Sequence, residues 1–377
     1  MDNALGMLKL SRTPQRTKRT RIWLGVAFLG AVVSTMFVVY FTLVRPPQPA
    51  DPFVLHTIHS AVRGGAMAMS PDEQTIVVVG RSEIALWSLA TYRRLWRVAV
   101  PNEHDADDVL FTPDGQTIVT ADETVMLWDA QTGEQKRVIP LNLGPLSNGY
   151  GVSDFTLDPT GTLLAVVQRN GFDIWIINLD TGQLMHMLTG HFYAAAYGNH
   201  PAIVTDVQFD PTGTLLASTG KNGKVIVWDL ASVRKLQTFR QYLPEPLLNP
   251  LYTVGFLPNG DVVAGSNASE LFTWQRHTEL PKWVTGRLEE PIQVMAIHPD
   301  GSLIATASRT TSDYGRFLGV VDTRIALWRV GDYDPVMFLA GHNDEIRDLS
   351  FFAGGTRLVS FSDDGAIRIW RVPEVAE

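Results

Sequence analysis

From Phe53 onward, one pattern of polar and apolar positions recurs along the chain. A tight-turn signal such as Pro113-Asp114-Gly115 or Pro159-Thr160-Gly161 opens each unit. Proline presets the backbone for such turns, and glycine accepts their left-handed position. Two short runs dense in Val, Ile and Leu follow, and the second closes on a large side chain. Runs that alternate or are wholly apolar over a handful of residues predict half-buried or fully buried β-strands. The units open at Ser70, Thr112, Asp158, Asp210, Leu257, His298 and Phe352. They close at Trp87, Trp128, Ile177, Trp228, Trp274, Trp328 and Trp370. Ile177 rather than Trp175 is the third closing residue, because only then does the Thr181-Gly182 turn align with its counterparts.

A small sheet of this kind cannot bury both of its faces alone. Stacking such sheets around a ring buries them, so a repeat of this length predicts a radial array. Each closing run should lead into an outer fourth strand, as at Arg94–Val100 and Gln183–Leu188. Only seven residues follow Trp370. The strand-like stretch Phe53–Ile58 is therefore expected to supply the outer strand of the last unit.

Two pairs of signature residues make the pattern specific. Trp-Asp occurs at Trp128-Asp129 and Trp228-Asp229, and Gly-His at Gly190-His191 and Gly341-His342. Over residues 53–377 the chain resembles the WD-repeat family. The resemblance implies an all-β, seven-bladed β-propeller closed by its N-terminal strand. It also implies two structural tetrads, His191, Ser218, Asn222 and Trp228, and His342, Ser360, Asp364 and Trp370. Thr306, Asp322 and Trp328 keep part of the set, and Asp122 keeps its distance to Trp128. His342, Ser360 and Asp364 could be mistaken for a catalytic triad. The pattern recurs with decay from unit to unit, however, whereas a catalytic site occurs once. No nucleophile-elbow glycines surround Ser360.

Ahead of the repeats, Ile22–Val44 holds 23 residues without a charge. As a helix it would extend roughly 35 Å, against about 30 Å of bilayer hydrocarbon. It is too long for a signal-peptide core and ends in Arg45-Pro46. Six basic residues precede it and Arg45 alone follows closely, which predicts a cytoplasmic N-terminus. The expected organisation is a basic cytoplasmic tail (1–21), a transmembrane helix (22–44), a Pro-rich linker (45–52) and the propeller (53–377). This organisation predicts a single-pass cell-membrane protein with its propeller on the outer, periplasmic or extracellular side.

Charge and chemistry narrow the function. Residues 1–50 carry seven Lys/Arg against Asp2, a net of +6, so the remainder carries −14 of the overall −8. An acidic body disfavours nucleic acid as a partner. There is no Cys, and the histidines lack metal-ligand spacing, so no metal and no cofactor are expected. The innermost strands, among them DDVLFTP, SDFTLDP and TDVQFDP, show no repeated chemical theme.

Long excursions at Gly144–Val152, Phe192–Ile203, Leu243–Pro250 and Arg309–Val321 interrupt the regular spacing. In a four-stranded meander all of them fall at the same end of the ring. Phe192, Tyr193, Tyr197, Tyr314 and Phe317 lie within them and are the candidate partner-binding residues, since aromatic loops on a rigid scaffold suit recognition. The expectation is a non-enzymatic, membrane-tethered protein-interaction scaffold, a subunit or partner of a membrane-associated complex. The alternative is an exoplasmic enzyme or small-ligand binder using the central channel.

Overall fold

The computed structural model describes residues 51–60, 62–80, 82–100, 108–141, 151–193, 200–242, 248–286, 288, 290–308 and 322–374. They form seven four-stranded antiparallel sheets. Blade 1 takes Ala66–Met69, Thr75–Val79, Glu83–Ser88 and Arg94–Ala99 as its strands a to d. Blade 2 runs from Val109 to Pro140, blade 3 from Val152 to Thr189 and blade 4 from Val204 to Phe239. Blade 5 runs from Leu251 to Val284 and blade 6 from Ile292 to Leu339. Blade 7 joins Ile346–Phe352, Arg357–Ser362 and Ala366–Arg371 to the distant strand Val54–His59.

The turn residues do what their chemistry suggests. Asp158 Oδ1 accepts the amides of Thr162 and Leu163, and Asp210 Oδ1 accepts that of Leu215. Ser70 and Thr112 close the same turn with a hydroxyl. Gly115, Gly161, Gly213 and Gly301 take the positive φ that the turn requires, and Glu73 takes it in blade 1.

Register settles which residues are equivalent. Ile76 pairs with Trp87, Ile118 with Trp128, Leu164 with Ile177, and Leu358 with Trp370. Ile177 thus holds the closing position of blade 3, and Trp175 lies opposite Val166 on the same strand.

Among the described residues the core divides into seven apolar clusters, one between each pair of neighbouring blades. Each closing residue packs towards the preceding blade. Trp128 lies with Val77 and Ile84 of blade 1, and Trp370 with Leu303 and Leu327 of blade 6. Fully burying such side chains contributes on the order of 2–3 kcal/mol each.

The ring closes through the N-terminal strand. His56, Thr57, Ile58 and His59 pair with Ile369, Arg368, Ile367 and Ala366. Asp51 accepts the Ala340 amide, and Phe53 O accepts the Arg371 amide. The 22–44 segment lies outside the described residues, and among those described no helix is long and apolar enough to cross a membrane.

A soluble chain beginning at Asp51 should unfold cooperatively. One beginning at Ala61 leaves the Ala366–Arg371 edge bare and should aggregate. Equal melting temperatures for the two would show that the strand is dispensable.

Candidate functional site

The tetrads are built where strands b and c meet the link from the preceding blade. In blade 7, Trp370 Nε1 donates to Ser360 Oγ at 2.8 Å, and Ser360 Oγ lies 2.6 Å from His342 Nε2. His342 Nδ1 faces Asp364 Oδ2 at 3.1 Å. The chain runs from indole through hydroxyl and imidazole to carboxylate, and the Arg368 guanidinium joins it against His342 Nδ1 and Asp364 Oδ2. Blade 4 repeats it. Trp228 Nε1 donates to Ser218 Oγ at 2.9 Å, Ser218 Oγ lies 2.8 Å from His191 Nε2, and His191 Nδ1 faces Asn222 Oδ1 at 3.1 Å.

The other blades keep fragments of this network. Trp128 donates to Thr120, Trp328 to Thr306 and Trp274 to the Arg240 carbonyl. Trp87 Nε1 has no hydrogen-bond partner among the described residues, and the Arg94 guanidinium lies over the Trp87 ring. Asp322 is held by Arg324, and Asp122 stands against Gly151.

Burial sets the protonation of these groups. It pushes His191 down to about 4, against the raising effect of Asn222. Burial also lowers His342. For Asp364 burial works upward, but the hydrogen bond and charge of His342, the Asn343 amide and Arg368 hold the carboxyl well below the usual range. Ser360 and Ser218 are completely buried. A nucleophile must meet its substrate, and these two hydroxyls are enclosed within blades.

The channel overturns one expectation. Its innermost strands do share a chemical theme. Asp108, Asp154, Asp206 and Asp348 each stand four residues before a turn residue and line a central cavity of about 640 Å³. Asp154 Oδ2 accepts the Val207 amide of the next blade at 2.8 Å, and Asp206 Oδ2 accepts that of Val254 at 2.7 Å. Asp348 Oδ2 accepts the Met67 amide at 3.3 Å, and Asp108 receives the Phe155 amide. Each carboxylate therefore ties strand a of one blade to strand a of the next.

Each keeps some surface towards the channel but lies deep in the ring. Burial, then the charge of Asp348, raises Asp108 well above the usual carboxylate range. Burial, then the charges of Asp206 and Asp108, does the same to Asp154. Burial also raises Asp206, while the hydrogen bond from Asp154 opposes the rise. Burial and the mutual charge of Asp154 and Asp206 favour a proton shared within this pair. The signal was present in the sequence as a position, an Asp four residues ahead of the turn. It was hidden because the strands differ in every other residue. Among the described residues no group of three or more metal-ligating side chains could hold a metal.

Of the candidate partner-binding residues, Tyr197, Tyr314 and Phe317 lie outside the described residues. The structure places Phe192 and Tyr193 together at the base of the longest link. Phe192 forms a β-bridge with Pro201, and the Tyr193 amide donates to the His200 carbonyl at 3.0 Å. Asn222 Nδ2 donates to the Phe192 carbonyl at 3.1 Å, so the blade 4 tetrad clamps the base of the loop. Phe192 is half-buried with the Lys235 ammonium 6.0 Å from its ring, and Tyr193 is exposed.

Three stretches, residues 97–129, 182–229 and 333–371, match the model of the WD domain, G-beta repeat. The chain carries WD40 repeats arranged as a seven-bladed propeller. It is 25% identical over 224 residues to periodic tryptophan protein 2 of Arabidopsis thaliana, covering 59% of this chain and 22% of that one. It is 22% identical over 303 residues to cilia- and flagella-associated protein 52 of Homo sapiens, covering 78% and 43%. It is 28% identical over 181 residues to WD repeat and HMG-box DNA-binding protein 1 of Xenopus laevis, covering 47% and 14%. The chain thus spans less than half the length of each of these relatives.

Trp370→Ala should cost about 3–5 kcal/mol, from the cavity and the lost network. Ser360→Ala should be milder, and denaturant titration separates the two. For Asp154 the raised native pKa means that the unfolded chain releases a proton the fold retains. The stability it contributes is therefore full below the ordinary carboxylate pKa and falls as pH rises towards the native value. Asp154→Asn keeps both the acceptor for Val207 and a donor for Asp206. Its melting temperature should match or exceed that of the parent at pH 8 and lose that advantage by pH 4. Asp154→Ala orphans the Val207 amide and should cost about 1–3 kcal/mol.

Proposed function

We propose that these WD40 repeats form a non-enzymatic docking platform, tethered to a membrane by residues 22–44, that binds a protein partner through the end bearing the long links. WD-repeat proteins are generally interaction scaffolds, and the channel acids and tetrad groups here are engaged in holding blades together. The observation that carries the reading is the clamped base of the Phe192–Ile203 link, where Tyr193 stands exposed on a segment fixed by the His191–Asn222 network. A pre-set base lowers the ordering cost of binding, and tyrosine is a frequent anchor residue.

The tethering half of the proposal rests on the uncharged 23-residue stretch and its one-sided basic flank, which argue for a cytoplasmic N-terminus and an outer-side propeller.

Two experiments test the two halves. Alanine at Tyr193, Tyr197, Tyr314 and Phe317 should reduce recovery of the partner from membranes. Substitutions at Asp72, Asp114 and Asn259, at the opposite end, should not. The reverse pattern would move the docking surface to the other end. With no native Cys, single cysteines at Ser11 and Ser232 report topology with an impermeant maleimide in intact cells. Labelling at Ser232 alone is expected, and labelling at Ser11 alone would invert the orientation.

A further inference from the structure

The outer edges of the blades are not alike. Strand d carries Arg94 and Arg97 in blade 1, Lys136 and Arg137 in blade 2, and Arg234 and Lys235 in blade 4. In blades 5 and 6 it shrinks to two and three residues. Charge and brevity are the usual guards of a sheet edge. Strand d of blade 3, Leu184–Thr189, has neither guard. It is six residues long and uncharged, with Leu184, Met185 and Met187 at 49%, 47% and 51% exposure. Blade 7 also has an uncharged edge, but of its large apolar side chains on Val54–His59 only Leu55 is exposed.

The blade 3 edge has a second property. Leu184-Met185-His186-Met187-Leu188 reads the same in both directions. Antiparallel pairing of this strand with its own copy, about a two-fold axis at His186, sets Leu184 against Leu188 and Met185 against Met187. Such pairing is isologous, so each contact is made twice. Met187 lies opposite Trp175 within the blade, so the two copies would join their Met and Trp side chains into one apolar patch.

Charge supports a second copy as the occupant. Arg137 of blade 2 approaches the Gly182 end of the strand and donates to the Asp180 carbonyl there. Asp173 stands at the other end, accepting the Thr189 hydroxyl at 2.5 Å. Leu188 turns towards blade 4, so Thr189 and Asp173 lie on the face turned to blade 2, the side from which Arg137 reaches. A two-fold axis places the Arg137 end of one copy against the Asp173 end of the other, on the same face. We propose that this protein self-associates through strand d of blade 3, forming a two-fold, edge-to-edge β-sheet across two propellers.

The full-length chain in detergent tests this directly. Directly opposed residues in an antiparallel pair have Cα atoms about 4.5–5.5 Å apart. That distance falls inside the window of about 4.4–6.8 Å for a disulfide. His186→Cys, self-opposed on the axis, should give a disulfide-linked dimer under mild oxidation at least tenfold faster than Leu236→Cys, a more exposed site on the blade 4 edge. His186→Lys sets two ammonium groups face to face, and Met187→Lys buries one in the patch. Each should lower the dimer fraction in light scattering at least tenfold without changing the melting temperature. Leu236→Lys should leave the dimer intact. Equal crosslinking at positions 186 and 236, a monomeric parent, or a dimer that survives His186→Lys would each overturn the proposal. A parent that is monomeric in detergent but shields Met187 from oxidation in membranes would assign the edge to lipid or another protein instead.

Discussion

A blade has two apolar faces, and a neighbour must cover each of them. The requirement runs through the whole molecule. It explains why the closing residues are large and point backwards, each filling the space against the preceding blade. It explains why no blade can be last: an open array would leave Trp87 and Ile76 of blade 1 without Val359 and Phe361 of blade 7. Ring closure through Val54–His59 supplies that missing contact.

Polar groups refine what burial begins. Within a blade, the tetrads hold strands b and c to the incoming link. Between blades, the channel carboxylates hold one strand a to the next. The two devices respond to acid in opposite senses. His191 is neutral in the fold and ordinarily charged below pH 6.5, so its contribution falls as pH drops from 6.5 towards 4. Asp108 and Asp154 hold protons that the unfolded chain would release, so theirs falls as pH rises. Blade integrity and blade-to-blade cohesion therefore shift in opposite directions as pH falls.

Much of this was legible in the residues themselves. Turn chemistry located all seven blades: Pro-Asp-Gly or Pro-Thr-Gly opens four of them, and Pro71-Asp72-Glu73, Pro258-Asn259-Gly260 and Ala353-Gly354-Gly355 are variants of the same turn. The choice of Ile177 over Trp175 followed from turn alignment and agrees with the register. The closing strand was legible because Phe53–Ile58 has strand character and no partner before the first turn. The acidic ring was not. Composition of the innermost strands conceals it, and only the count back from each turn residue exposes Asp108, Asp154, Asp206 and Asp348 as equivalents. Nor does a sequence show which edges are guarded. The outer strands were expected from the repeat, but the shortening of strand d to two and three residues in blades 5 and 6 and the exposure of Met185 and Met187 needed the structure.

The order of synthesis adds a last consequence. Ser60 donates to the carbonyl of Gly365, 305 residues further along the chain. At about 5–20 residues per second, the first strand waits roughly 15–60 s for its partner to be made. Over that interval blades 1 to 6 are made in turn, while blade 7 begins with only its outer strand, Val54–His59. Completion of the ring is a late, long-range loop closure, of the kind that is slow to nucleate. A nascent chain caught before it presents an unclaimed strand at its start, so the rate of translation and the crowding of neighbouring nascent chains bear on the yield of closed rings.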